Sequence, residues 1–155
     1  MKRRKEGFTL IELLIVMAVI AALMGALIPV ALNAINHANA TRVAENMRSL
    51  LTAAQEYAYT DHEIPKISTI KSKKLVTGKL DNSAYEIVWA TGTNGFTQAN
   101  DTWPGGTAVT IGVAYKGGIS AADIHKVWSS ATSTNSVNGL DGYGVVATTT
   151  IAAYW

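Results

Sequence analysis

Cysteine is absent from this 155-residue chain. That excludes a disulfide framework, a thiol nucleophile and any cysteine-based zinc site. If the protein is exported, its soluble part must hold together by packing alone. Catalytic signatures are missing too. His37, His62 and His125 stand apart with no metal-ligand spacing, and no nucleophile elbow, phosphate-binding glycine loop or paired catalytic carboxylates can be assigned. Charge is sparse in the body and crowded at one end, where Lys2, Arg3, Arg4 and Lys5 sit together. Without residues 1–7 the chain carries nine basic against ten acidic side chains, so the net charge of +2 and the pI of 8.9 describe the full chain only. A nearly neutral body lacks the electrostatic footprint of a general nucleic-acid binder.

What is present is a long apolar run. Residues 13–32 are all apolar side chains apart from Gly25 and Pro29. Twenty residues at about 1.5 Å each span roughly the 30 Å of a bilayer core. The basic residues ahead of the run predict that the N-terminus stays in the cytoplasm. An ordinary secretory signal has an apolar region of only about 7–15 residues before its cleavage site, and here the run continues into an amphipathic helix. A plain membrane anchor is the stronger alternative, and Glu12 argues against it. A carboxylate costs about 2.5–3.5 kcal/mol at mid-membrane on insertion scales, less near the interface, and such groups pair with something. Cleavage between Gly7 and Phe8 would create an α-amine four positions before Glu12, able to neutralise it in the same chain or a neighbouring one.

Gly7-Phe8-Thr9-Leu10-Ile11-Glu12, after a short basic leader and before about twenty apolar residues, resembles the class III signal of bacterial type IV pilins and pseudopilins. The resemblance implies a membrane peptidase that cuts after Gly7 and then methylates the new amine on Phe8. It also implies that Glu12 meets the N-terminal amine of a neighbouring subunit during assembly. Pro29 falls where many pilins place a proline. Physically, Pro29 removes one helical hydrogen bond and crowds the carbonyl of Gly25. Glycine adds roughly 1 kcal/mol relative to alanine. Gly25 and Pro29 together therefore read as a weak spot in the helix.

Beyond residue 32 the helical period continues while polarity changes. Val43, Met47, Leu50, Leu51, Ala54 and Tyr57 fall on one face, so the helix from Phe8 to about Thr60 would be roughly 80 Å long, with its first half protruding from the body. Residues 61–84 read as a connecting region, in which Ser68 caps a short helix over residues 69–76 that Gly78 ends. Lys66, Lys71, Lys73, Lys74 and Lys79 fall here. They read as a solvated face or as charge complementary to a neighbouring subunit, with DNA contact a weaker alternative. Residues 85–155 read as antiparallel sheet and loops. Tyr85, Ile87 and Trp89 alternate with other residues, Asn94-Gly95 signals a hairpin, and Phe96-Thr97-Gln98 forms the return strand. Val109, Ile111, Val113 and Tyr115 alternate most clearly. Ser120 caps a helix to about Ser129, with Asp123 in the capping-box position. A last strand covers residues 143–150, with 151–155 as its extension. Residues 129–142 read as loop.

The expected fold is therefore α+β, a long N-terminal helix packed by its second half on a C-terminal sheet. The expected division is 1–7 leader, 8–32 membrane or filament-core helix, 33–60 amphipathic helix, 61–84 connection and 85–155 sheet. Asp61-His62-Glu63 reads as a solvated turn rather than a ligand set. Asp141-Gly142 lacks the alternating acids of a calcium loop. Asn39-Ala40-Thr41 and Asn100-Asp101-Thr102 match a glycosylation pattern that is common by chance. No catalytic residue, metal or cofactor is assigned. The resemblance implies a structural subunit, a major pilin that polymerises into a surface filament for adhesion, motility or DNA uptake. The alternative is a pseudopilin or minor pilin of a secretion or competence machine. Implied partners are other copies of the chain, the peptidase and methyltransferase, the assembly platform with its ATPase, and the inner membrane before assembly.

Overall fold

The computed structural model describes residues 7–76, 80–81, 83–91, 95–99, 108–133, 137–138 and 142–151. The chain divides into two units, Met1–His37 and Ala38–Trp155. One helix, α1 (Leu10–Asp61), runs through 52 residues with Pro29 inside it.

In the first unit the described residues are all exposed, including Leu13, Leu23, Leu27 and Ile28. This part of α1 is long and apolar enough to cross a membrane, judged by length and composition. The second unit begins where burial begins. Ala40, Val43, Ala44, Met47, Leu50, Leu51, Ala54, Tyr57 and Ala58 recur at helical spacing and are buried. Met47 and Leu50 are fully enclosed, each contributing about 1.5–3 kcal/mol of apolar burial. The alanines among them let the helix lie close to the sheet.

Among the described residues the sheet has six strands: β1 (Tyr85–Thr91), β2 (Phe96–Gln98), β3 (Val109–Tyr115), β4 (Ala131–Ser133), β5 (Val137–Asn138) and β6 (Val145–Ile151). Their order is β4-β6-β3-β1-β2-β5. The central pairs β1–β3 and β3–β6 are antiparallel over seven residues each. The α+β architecture follows the sequence pattern, and so do the three principal strands and the β1–β2 hairpin. Asn94 of its expected Asn94-Gly95 turn lies outside the described residues.

Four details depart from the sequence reading. Two short strands, β4 and β5, form inside the stretch read as loop, and β5 pairs parallel with β2. Neither three nor two residues can show a period. The second difference is α2 (Ile67–Ser72), which begins at Lys66 with no side-chain cap and ends at Lys73, so Ser68 is not its cap. Buried Ile67 and Ile70 anchor it to the core, and that burial outweighs a serine cap worth about 1 kcal/mol. Gly78 lies outside the described residues. The third is α3 (Ala121–Val127), which stops two residues short of Ser129. The fourth is β6, which begins at Val145 rather than at Tyr143 and, as expected, runs on into Ile151.

The pairing register separates the two faces of the sheet. Tyr85, Ile87, Val109, Ile111, Val113, Tyr115, Val145, Ala147 and Ile151 face the core that contains α1. Val88, Ala114 and Val146 form a second cluster on the opposite face, with Phe96 and Tyr143 packed against it. The sheet cannot be flat. Ser133 and Val137 lie on its opposite edges, yet four residues reach at most about 14 Å and five strand spacings span about 24 Å. Curling brings the edges together and shelters the second cluster. Polar contacts also hold the second half of α1 in place. Asn46 Nδ2 donates to Tyr85 Oη at 3.1 Å and Gln55 Nε2 to Thr149 Oγ1 at 2.8 Å. The Arg48 guanidinium lies 5.1 Å from the centre of the Trp128 ring.

Candidate functional site at the N-terminal helix

Helix α1 starts at Leu10 because Thr9 caps it. The Glu12 backbone N–H donates to Thr9 Oγ1 at 3.3 Å. In return the Glu12 carboxylate accepts from the Thr9 backbone N–H at 2.8 Å and from the Thr9 hydroxyl at 2.7 Å. This is a reciprocal capping box, threonine followed three residues later by glutamate. It was legible as Thr-x-x-Glu in the sequence, but the sequence reading passed over Thr9. The box directs the carboxylate back toward the start of its own helix.

Immediately upstream, Gly7 and Phe8 lie outside the helix. Phe8 is 90% exposed, and a Cβ placed on Gly7 would meet nothing within 4 Å. The Gly7–Phe8 peptide bond therefore stands in open, non-helical chain two residues before the cap. Gly25 and Pro29 both lie within α1, which continues through them. Proline has no N–H to donate, so the Gly25 carbonyl lacks its usual partner four residues on.

Elsewhere the polar side chains are occupied with structure. His125 Nδ1 donates to the Ala131 carbonyl at 2.7 Å, tying α3 to the edge strand β4. Asp61 pairs with Lys73 at 2.6 Å, and Glu63 accepts from Tyr57 Oη at 3.3 Å. The Asp61-His62-Glu63 turn thus sends its two carboxylates to different partners. Hydrogen bonding to Asp61 raises the Lys73 pKa above the usual lysine value, and its ammonium lies 4.4 Å from the Tyr57 ring centre. Lys71 donates to the Leu80 carbonyl. Lys71 and Lys73 are therefore bound within the fold, and Lys79 lies outside the described residues. Asn39-Ala40-Thr41 falls inside α1, with Ala40 buried. Asn100-Asp101-Thr102 and Asp141 lie outside the described residues.

Among the described residues no three His, Cys, Asp or Glu side chains gather as a metal site. One concavity, about 500 Å³, lies between α3 and β4 and is lined by Ala121, Ala122, His125, Ala131, Thr132 and Ser133. It brings no acid–base pair together.

Comparison with known families gives one result. Residues 2–28 match the family model described as the prokaryotic N-terminal methylation motif. This motif is the class III signal found at the start of type IV pilins and pseudopilins. The match ends before the second unit begins. No curated protein and no solved structure matches the chain.

Proposed function

We propose that the chain is a structural subunit, a major pilin, cut between Gly7 and Phe8, methylated on Phe8, and polymerised through α1 into a surface filament. One observation carries this reading. The matched signal over residues 2–28 leads directly into an apolar helical stretch whose side chains are all exposed. Such a surface needs lipid before assembly and other helices after it. Glu12 at its start would neutralise the new amine of a neighbouring copy. The carboxylate has acceptor sites to spare beside its two contacts to Thr9. Gly25 and Pro29 would let the helix stretch as subunits come together.

Several features favour a structural role over catalysis. The second unit is a helix on a sheet, its polar side chains hold elements to one another, and the groove between α3 and β4 lacks a reactive pair. A pseudopilin or minor pilin of a secretion machine shares the same signal and is the competing reading.

The test is intact mass and N-terminal sequencing of protein sheared from the surface of its native cells. Abundant chains that begin at Phe8, about 14 Da heavier than the unmodified sequence, are expected. Retained Met1, with all the protein in the inner membrane, would reject the filament. Processed chains confined to the envelope would select the pseudopilin.

A further inference from the structure

The apolar part of α1 ends on two amides. Between Glu12 and Asn33 no side chain carries a hydrogen-bond donor, and only the thioethers of Met17 and Met24 can accept, weakly. Asn33 and Asn36 then follow, three residues apart and so on one helix face. Both are exposed, and neither amide has a hydrogen-bond partner among the described residues. Asparagine is a poor helix former because its amide competes for the backbone. Two of them in succession weaken a helix that has no sheet beside it in this unit.

We propose that Asn33 and Asn36 form amide-to-amide contacts between neighbouring copies of this chain and so set the register of the helices in the filament. The inference rests on the filament reading above. The partner is a second copy because a primary amide both donates and accepts. An identical residue satisfies it without any charge of opposite sign. Asn33 also continues directly from the apolar surface that must be covered, with Leu32 before it and Ile35 beyond, each 55% exposed.

The chemistry differs between the two states. In a bilayer, the apolar run of roughly 30 Å places these amides at the far interface, where water satisfies them. In a helix bundle that water is lost. A buried amide without a partner is costly, whereas the apolar residues before it slide past one another with little preference. The amides therefore penalise every register except those in which they meet. A single asparagine fixes register in coiled coils in the same way, and amides bond between helices in membranes.

The absence of native cysteine provides a clean test. Asn33→Cys and Asn36→Cys chains are co-expressed, and the sheared filaments are oxidised. Disulfide-linked dimers are expected, since the contact brings the backbones within about 7 Å. In parallel, Asn33→Asp and Asn36→Asp place like charges at the contact, and filament yield should fall about tenfold or more. Cleavage at Gly7–Phe8 and membrane insertion should stay as in the unaltered chain. Filaments without cross-linked dimers, or aspartate variants that assemble at full yield, would overturn the amide contact while leaving the filament standing. Failure of the unaltered chain to be cut or to polymerise would instead bring down the reading beneath it.

Discussion

The two units of this chain are made from one continuous helix yet obey opposite rules. In Met1–His37 every described side chain is exposed, and the apolar ones go all the way round the helix. In Ala38–Trp155 the same helix has a buried face and an exposed one, and its buried residues interlock with a sheet. An all-round apolar helix is what a protein presents to lipid or to other helices, and an amphipathic one is what it presents to its own core. The second unit is therefore stabilised from within. The first depends on something outside the chain, so polar side chains there, such as Glu12, Asn33 and Asn36, stand out against the apolar surface.

The sharpest way to break this comparison is to shorten side chains on both sides of it. Met47→Ala or Leu50→Ala removes a fully buried side chain and should destabilise the second unit by about 2–5 kcal/mol. Leu23→Ala removes a side chain that is 58% exposed and should leave the unfolding of the second unit unchanged. Chemical denaturation in detergent, followed through the tryptophans, distinguishes them. Equal losses from both substitutions would mean that the first unit has an internal core after all.

A smaller loss probes how tightly the second unit is built. A Cβ on Gly117 would lie 2.0 Å from Tyr115 Oη. Tyr115 cannot simply swing aside, because its ring lies against Tyr85 with centroids 5.3 Å apart, and Tyr85 in turn holds Asn46 of α1. Gly117→Ala should therefore cost about 1–3 kcal/mol, and the additional Tyr115→Phe substitution should restore part of it. A neutral Gly117→Ala would show that this corner is looser than the helix–sheet contact beneath it.

These elements also show what was legible beforehand. Periodicity exposed the buried stripe of α1 and the strands β1, β3 and β6, because each is long enough to show its repeat. The Ser120 cap was legible as well: its Oγ accepts from the Asp123 N–H at 3.2 Å and its hydroxyl donates to the Asp123 carboxylate at 2.8 Å. The start of α2 was misread because Ile67 and Ile70 are placed by tertiary burial, which a local cap signal does not register. The edge strands β4 and β5 were missed because they exist only through their partners β6 and β2. At the N-terminus, Glu12 stood out as a charge in an apolar context. Thr9 did not, since a threonine looks ordinary until its partner is seen to reach back to it.

A modest gain should come from Lys74, which has φ of 56° just beyond α2. Its side chain is exposed, and its N–H closes the helix end on Lys71 O at 3.0 Å. The left-handed conformation costs a residue with a Cβ about 1 kcal/mol, and glycine avoids that cost. Lys74→Gly should therefore raise the stability of the second unit by up to about 1 kcal/mol in the same denaturation experiment.

The smallest effect concerns charge inside the curl of the sheet. Glu86 lies half-buried on the face that carries Val88 and Ala114. Burial pushes its pKa above the ordinary glutamate value, although a hydrogen bond from Gln98 and another from the Ile87 N–H work against the shift. A raised carboxylate pKa means that folding disfavours the charged form. The cost is present above the folded-state pKa, shrinks as pH falls through it, and is gone below the unfolded value near 4.5. Glu86→Gln should thus stabilise the second unit slightly at pH 7, with the advantage vanishing by about pH 4. Solvent at the half-exposed side screens the effect and keeps it small. Thermal unfolding of both proteins at the two pH values settles the sign. A glutamine variant less stable at pH 7 would mean that the Gln98 and Ile87 hydrogen bonds outweigh burial, and that even the sheltered face of the second unit tolerates charge better than the bare helix of the first.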